Sequence, residues 1–217
     1  MLGFLDIFND QARQLVEDLK VEVGRAPFDH DPYIRRTAME AICCEKFKPF
    51  LDLLFELNDS NGKEAFSEQE IREHVDTFIV AGHDTVAGTL VFTLLLIGSY
   101  PEVQEKICEE HPIWGENPEQ FKPERWLQQS TLPENTNAFV AFGLGRRVCI
   151  ARPYAMFIMK TIISHVLRHY RVSGDHLKMV NTFDCLLKTA TGHYIILRAK
   201  NSLRYIRNCE SKYIIKD

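Results

Sequence analysis

The sequence predicts a mainly α-helical protein with a small β-hairpin near its C-terminal end. Three observations support this fold class. Apolar residues recur at helical spacing in several segments, and one long apolar segment begins with a complete helix-capping signal. Apolar and polar residues alternate over 185–199, around Thr191 and Gly192, which predicts the hairpin. With 217 residues, the chain is long enough for one domain with its own core.

Three helices are expected in the first 60 residues. The predicted segments are 5–22, 33–44 and 47–57, in which apolar residues recur every three or four positions. Gly24 and Pro27 end the first of them, because glycine favours helix C-termini and proline cannot continue a helix.

The longest predicted helix runs from Ser67 to about residue 97. Ser67 and Glu70 have the spacing of a capping box, in which each side chain bonds the backbone amide of the other residue. Gly98 and Pro101 end the segment. Its second half is apolar almost all round, so this helix is expected to run through the core.

The rest of the chain contains one more strong helical pattern. A short helix over 101–110 is followed by turn-rich sequence up to residue 137. An amphipathic pattern over 151–170 then predicts a helix directly after Cys149. The tail from Asn201 is expected to fray.

Composition argues against several classes of function. The net charge of −4 gives no reason to expect a nucleic-acid partner. Six cysteines without C-x-x-C spacing predict neither a disulfide framework nor a zinc site. His165 and His169 are four residues apart with no third ligand nearby, so we interpret them as packed or solvated. The longest apolar run, 86–97, falls short of the roughly 20 residues that span a membrane. The N-terminal apolar residues have no basic lead and are interrupted by Asp6, so neither a signal peptide nor a membrane anchor is expected there.

Cys149 lies in a loop that suits a thiolate metal ligand. The loop, Phe142-Gly-Leu-Gly-Arg-Arg-Val-Cys149-Ile-Ala151, comes just ahead of a predicted helix. Neighbouring arginines and a helix N-terminus favour the thiolate form of a cysteine. Gly143 and Gly145 permit positive φ and the close approach of a flat ligand. Haem iron accepts such a thiolate as its axial ligand. The alternative is a buried structural cysteine.

This loop resembles the haem-binding signature of the cytochrome P450 superfamily, Phe-x-x-Gly-x-Arg-x-Cys-x-Gly. Phe142, Gly145, Arg147 and Cys149 match the pattern, and Ala151 replaces its last glycine, a departure that the family tolerates. The resemblance implies a partial cytochrome P450 fold that holds haem b, an iron protoporphyrin. Cys149 would be the axial ligand of the iron, and the rest of the loop would shield the sulfur and hold the cofactor.

The central predicted helix contains the string Ala81-Gly82-His83-Asp84-Thr85. An acid beside an alcohol, at a glycine that can let a helix bulge, can supply a hydrogen bond and a proton route. An isolated pair of this kind is usually only locally satisfied. The string resembles the oxygen-activating motif of the family, which implies that Asp84 and Thr85 deliver protons while Ala81 and Gly82 face the haem. His83 is interpreted as a helix-face residue.

Two further stretches resemble the same family. The run from Phe121 to Trp126 resembles its Pro-Glu-Arg motif, in which Arg125 would close a salt-bridged cluster beneath the cysteine loop. Residues 71–78 resemble the fourth P450 family, known for fatty-acid omega-hydroxylation and, in insects, for wider lipid or foreign-compound oxidation. Some relatives esterify the haem through a glutamate before the helix glycine. Ala81 stands at that position, so no such bond is expected.

The resemblance covers less than half of a complete family member. Apparent internal joins lie near 44/45 and 110/111, so residues 1–200 are interpreted as an incomplete P450 domain and 201–217 as a tail. The helices that roof the substrate pocket and the helix with the Glu-x-x-Arg motif would be missing. Apolar surface around Leu94, Leu95 and Leu96 is therefore expected to be exposed.

The resemblance implies a fragment of a haem-thiolate monooxygenase. The complete family inserts one oxygen atom from O2 into a C–H bond of a lipid, fatty acid or foreign compound, a small apolar substrate. Its electrons come from NADPH-cytochrome reductase at the cytosolic face of the endoplasmic reticulum membrane. The alternative is a catalytically silent shortened product with weak or no haem binding. A third hypothesis is an unrelated helical scaffold with chance motifs.

Overall fold

The computed structural model describes residues 4–43, 54, 56–57, 62, 65–107, 140–184 and 186–200. Several sequence predictions lie outside the described residues. These are most of the third predicted helix, the Pro-Glu-Arg motif with Arg125, both apparent joins and the tail from residue 201.

The helices and strands whose bounds the structure gives are as follows. The helices are α1 (Phe4–Leu19), α2 (Asp31–Ile42), α3 (Glu68–Ser99), α4 (Pro101–Ile107) and α5 (Arg152–His169). The strands are β1 (Phe28–Asp29), β2 (Tyr170–Gly174), β3 (Asn181–Asp184), β4 (Leu186–Thr189) and β5 (Tyr194–Ala199). The mainly helical fold class with a small C-terminal hairpin is confirmed.

Helices α1, α2, α3 and α5 pack around one apolar core. α1 lies against α2 and α5, and α2 lies against α3. Their buried residues recur every three or four positions, which is the periodicity that predicted the helices. Side chains that are almost fully buried include Phe8, Leu15, Ile34, Leu90, Leu94, Ile158 and Ile162.

The predicted capping box begins α3. The amide of Glu70 donates to the Ser67 hydroxyl at 3.3 Å, and the amide of Ser67 donates to the Glu70 carboxylate at 2.9 Å. α3 is also the one helix in the described part of the chain that is long and apolar enough to cross a membrane. Core helices of soluble proteins share this property, and residues from Val86 to Gly98 contribute to the core here.

The expected exposure of the second half of α3 is wrong. Leu94 and Leu95 are buried, and Leu96 is half-buried. The reason is that β2 packs directly on this half of the helix, with Gly174 so near that a Cβ there would lie 2.8 Å from Cδ1 of Leu95. The exposed large apolar side chains of α3 are instead Phe78 and Val80, in its first half.

Two small antiparallel sheets complete the fold. β5 is the middle strand of the first sheet and pairs with β1 and β2, whereas β3 and β4 form the hairpin. The sequence predicted a hairpin within 185–199, but residues 194–199 pair with β2 instead. Alternation of apolar and polar residues identifies a strand but not the strand with which it pairs. The sequence did not reveal β2 as a separate strand, because β2 continues directly from α5.

Candidate functional site

The cysteine loop is held in shape by its own backbone. Gly143 and Gly145 have φ values of 77° and 69°, in the left-handed region that glycine adopts without steric cost. The amide of Cys149 donates to the carbonyl of Phe142 at 2.8 Å and closes the loop. Cys149 is thereby fixed just after a 3₁₀ turn over Gly145–Arg147.

α5 begins three residues after Cys149. The amide of Arg152 donates to the carbonyl of Cys149 at 3.3 Å, and the Arg152 guanidinium lies 5.8 Å from the ring centroid of Phe142. The thiol of Cys149 is free and exposed. The arrangement therefore presents an unpaired sulfur just before the N-terminus of α5.

Threonines follow one stripe of α3. The hydroxyl of Thr85 donates to the carbonyl of Ala81 at 2.6 Å, and that of Thr89 donates to the carbonyl of Thr85 at 2.8 Å. Because each hydroxyl hydrogen is used within the helix, its oxygen is left as an acceptor. Such an oxygen can accept a hydrogen bond from a bound molecule.

A cavity of about 640 Å³ lies between this stripe and the cysteine loop. Six of the residues predicted to form a site line it together. From α3 these are Ala81, Gly82 and Thr85; from the facing wall they are Phe142, Cys149 and Ala151.

The residues around this cavity fit a haem group. The cavity volume lies within the range of about 300–1,000 Å³ that is usual for ligand and cofactor sites. Its walls are largely apolar, with Phe78, Val86, Met156 and Met159 in the lining, as a flat porphyrin requires. Within the described residues no cluster of histidine, cysteine and carboxylate side chains could hold a bare metal ion. A single exposed thiol such as that of Cys149 has the chemistry of an axial ligand to a porphyrin-bound iron.

Comparison with known families decides the classification. The family model described as cytochrome P450 matches residues 44–112 and 111–197, which is more than half of the chain. The chain belongs to the cytochrome P450 family. At family level this implies a haem cofactor and haem-thiolate monooxygenase chemistry.

Curated relatives carry names from the fourth P450 family. Human cytochrome P450 4V2 is 26% identical over 229 residues, which cover 72% of this chain and 43% of the relative. The probable cytochrome P450 4d20 of Drosophila melanogaster is 24% identical over 277 residues, covering 94% of this chain and 54% of the relative. The resemblance to the fourth family is confirmed. This P450 chain spans about half the length of the curated relatives it matches.

Four of the predicted site residues do not line the P450 cavity. Gly143, Gly145 and Arg147 lie in the exposed part of the cysteine loop. The Asp84 carboxylate instead accepts a 2.5 Å hydrogen bond from Nη1 of Arg35 on α2. The acid and the alcohol of the central motif are therefore neighbours in sequence that face different surroundings.

Gly82 has a packing role that the sequence did not predict. α3 continues as a regular α-helix through this residue, without the bulge that the glycine was expected to permit. A Cβ on Gly82 would lie 2.9 Å from Cδ1 of Ile42. The missing side chain therefore makes room for the C-terminal end of α2.

Sequence reasoning missed several residues of the cavity. Thr77, Thr89, Tyr154, Met156 and Met159 line it beside the predicted residues. The four-residue spacing of Thr77, Ala81, Thr85 and Thr89 is the signal that could have found the α3 members. Tyr154 and Met159 follow Cys149 on the apolar pattern of α5, which predicted the helix without singling out these two residues.

The histidines singled out from the sequence lie away from the cavity lining. Nδ1 of His83 is 3.5 Å from Oδ1 of Asp84. Nε2 of His165 is 3.0 Å from Oδ1 of Asn9, which links α5 to α1. Burial, aided by nearby positive groups, lowers the pKa of His165. We therefore interpret His165 as a packing residue.

Proposed function

We propose that this P450 chain binds haem b in the cavity between α3 and the cysteine loop, with Cys149 as the axial ligand of the iron. With haem bound, the protein is a monooxygenase that inserts one oxygen atom from O2 into a C–H bond of a lipid, fatty acid or foreign compound. One observation carries the proposal: Cys149, in the loop before α5, and Thr85, on α3, line the same cavity.

Each predicted residue has a distinct task in this proposal. Haem, when bound, supplies the redox chemistry that activates O2. Cys149 donates its thiolate, Phe142 covers the sulfur, and Arg147 helps to hold the cofactor from the exposed turn beside it. The Thr85 hydroxyl, released from the Ala81 carbonyl, would donate its proton into the cavity and regain one from Asp84. Asp84, released from Arg35, would take that proton from solvent.

The remaining partners follow from the family. NADPH-cytochrome reductase would supply the electrons, and the cytosolic face of the endoplasmic reticulum membrane would be the site of action. The apolar lining supports a small apolar substrate, because burying apolar surface is the main source of affinity in such a cavity.

A second candidate function is a haem-binding product without turnover. Its supporting observation is the 277-residue alignment with the Drosophila relative, which is longer than this chain, so that relative has segments without a counterpart here and one wall of the cavity would be open. Oxygen activation requires that water be excluded from the reacting centre. An open wall of this kind would permit haem capture while allowing activated oxygen to be lost to solvent.

The internal joins near 44/45 and 110/111 are part of the same proposal. The separate family-model matches, 44–112 and 111–197, meet at residues 111 and 112. The 277-residue alignment with the Drosophila relative is longer than the whole 217-residue chain, so that relative has residues with no counterpart here. Both observations support missing internal segments. Sequencing the transcript across 44/45 and 110/111 tests this, and intact intervening exons in the abundant message would contradict it.

The decisive experiment compares the purified chain with two cysteine variants. Hemin is added, and the reduced carbon monoxide difference spectrum is recorded. We expect a Soret band of the thiolate type in the wild-type chain and its loss in Cys149→Ala. Cys43→Ala is the matched control, because Cys43 is also free and exposed but does not line the cavity.

Turnover then separates the two candidate functions. A medium-chain fatty acid, NADPH and the reductase are added to the haem-loaded chain, and hydroxylated product is measured. Product formation that is lost in Thr85→Ala supports the monooxygenase. A thiolate-type spectrum without product supports the silent haem-binding function. Failure to capture hemin contradicts both.

A further inference from the structure

Tyr154 lies where both walls of the cavity meet α2. Its side chain lines the cavity, and its hydroxyl donates to the carbonyl of Ala41 at 3.2 Å. Its ring packs edge-on against Phe8, with centroids 5.0 Å apart and an interplanar angle of 85°. We propose that Tyr154 is a positioning residue that fixes the separation of the two cavity walls. The inference rests on the proposed function in that haem is the ligand whose fit depends on this separation.

The hydrogen bond to Ala41 ties α5 to the end of α2. Ala41 lies in the last turn of α2, where carbonyl groups have no partner within the helix. Ala41 is also buried, so its carbonyl needs a partner from the protein. Tyr154 supplies that partner from the wall that carries Cys149.

The next residue, Ile42, connects the same helix end to the opposite wall. Its Cδ1 occupies the space beside Gly82, where a Cβ would be only 2.9 Å away. The end of α2 is thus bonded to α5 through Tyr154 and packed against α3 at Gly82. The two contacts together form a spacer of fixed length between the walls.

A fixed separation is an advantage for binding a rigid, flat ligand. If the spacer is loosened, the empty protein divides its population between wall separations that fit haem and separations that do not. The apparent affinity then falls in proportion to the competent fraction. Tyr154 would therefore act on haem binding without contacting the iron.

The test removes one hydroxyl group at a time. Tyr154→Phe deletes the spacer bond, and Tyr170→Phe deletes a bond of the same kind, from the Tyr170 hydroxyl to the carbonyl of Val16 at 2.6 Å. Tyr170 does not line the cavity.

We expect Tyr154→Phe to raise the apparent hemin dissociation constant about three- to tenfold, as the loss of one hydrogen bond would. Its reduced carbon monoxide Soret band should also broaden. Tyr170→Phe should lower the unfolding midpoint and leave hemin affinity within about twofold of wild type.

A rescue experiment tests the other half of the spacer. Gly82→Ala places a methyl group against Ile42, so hemin affinity should fall. Ile42→Val removes Cδ1, the atom that the new methyl group meets. The double variant should therefore recover most of the affinity lost by Gly82→Ala. Without this rescue, the effect of Gly82→Ala would not arise through Ile42.

A measurement on the haem-free protein separates this inference from the proposed function. Spin labels are introduced as unnatural amino acids at the exposed positions Val80 on α3 and Lys160 on α5. Tyr154→Phe should widen the distribution of distances between the labels, and Tyr170→Phe should not. Widening without hemin capture would refute the proposed function alone. Equal distributions, or hemin affinity and spectra unchanged in Tyr154→Phe, would overturn the inference.

Discussion

The guanidinium of Arg35 bonds Asp84 and thereby joins α2 to α3. Nη1 of Arg35 donates to Oδ1 of Asp84 at 2.5 Å, while Nε donates to the two carboxylate oxygens of Asp31 at 3.0 and 2.8 Å. Burial works to lower the pKa of Arg35, but the hydrogen bonds and charges of Asp31 and Asp84 outweigh it and raise that pKa. One partly buried cation thus holds two carboxylates.

Replacing Arg35 should destabilise the protein more than replacing its neighbour Arg36. Arg35→Gln leaves two partly buried carboxylates without their cation, so we expect a loss of about 1–2 kcal/mol in the free energy of unfolding. Arg36 is half-exposed and pairs with Asp18, so Arg36→Gln should cost less than about 1 kcal/mol. Urea denaturation of both variants provides the measurement. Equal losses would contradict the interhelix role of Arg35.

Two glycines of α3 should respond to alanine in opposite directions. A Cβ on Gly98 would lie 2.9 Å from the Val172 side chain and 3.0 Å from the amide nitrogen of Gly174, so Gly98→Ala should cost about 1–3 kcal/mol. A Cβ on Gly88 meets nothing within 4 Å, so Gly88→Ala should add about 0.5–1 kcal/mol through helix propensity. Thermal unfolding distinguishes the signs. Stabilisation by both variants would mean that β2 does not pack against α3 as described.

Stability should fall in mild acid because of His30. This side chain is buried, with Nδ1 2.5 Å from the His193 carbonyl oxygen and Nε2 3.1 Å from that of Val91. Burial lowers its pKa to about 4, although these hydrogen bonds oppose the shift. As the pH falls below 6.5, His30 therefore becomes protonated in the unfolded chain before it does so in the folded chain. The stabilisation by neutral, buried His30 is complete above that pH, and about 3 kcal/mol of the free energy of unfolding is lost as the pH approaches 4.

The measurement is the free energy of unfolding as a function of pH. His30→Gln should flatten the profile between pH 6.5 and 4, whatever its effect on stability at neutral pH. His74→Gln changes an exposed histidine and is the control for the loss of an imidazole outside the core. Burial also lowers the pKa of His193 and of His165, so part of the slope should remain in His30→Gln. An unchanged slope in that variant would refute the assignment.

The side-chain amide of Gln104 on α4 bonds the backbone of the edge strand β2, as a neighbouring strand would. Its amide donates to the carbonyl of Val172 at 2.7 Å and accepts from the amide of Val172 at 2.9 Å. Gln104→Ala leaves a buried backbone donor and acceptor unpaired, so we expect a loss of about 2–4 kcal/mol. Gln69→Ala, at an exposed position of α3, should change stability by less than about 0.5 kcal/mol.

Hydrogen exchange locates the effect of Gln104. The amide of Val172 should exchange much faster in Gln104→Ala than in the wild-type chain, whereas amides in the middle of α1 should change only as far as global stability does. Protection of Val172 that survives the substitution would show that another group pairs with this strand edge.

Local features of the site could be predicted from the sequence. The capping box of Ser67 and Glu70 depends on residues three positions apart, and the cysteine loop is closed by a bond between Cys149 and Phe142. Interactions over so few residues are encoded by residue type and spacing. The amphipathic periods of α1, α2 and α5 were recognisable for the same reason.

Contacts between distant segments could not be predicted in this way. The burial of Leu95 depends on β2, which lies nearly 80 positions further along the chain. The hydrogen bond between Arg35 and Asp84 joins residues 49 positions apart. The hydrogen bond from Tyr154 to Ala41 joins residues 113 positions apart. Nothing in the local pattern at either end specifies such a partner.

The sequence by itself determined the helices, the cysteine loop and the resemblance to the cytochrome P450 family. These follow from periodicity and from short strings whose chemistry is contained in neighbouring residues. Only the tertiary structure decided that Thr85 and Cys149 share a cavity, that Asp84 turns away from it, and that β5 pairs with β2. The physical reason is that burial and strand pairing depend on how all segments pack together in the folded chain. The partner of each residue is therefore set by tertiary packing rather than by its neighbours in sequence.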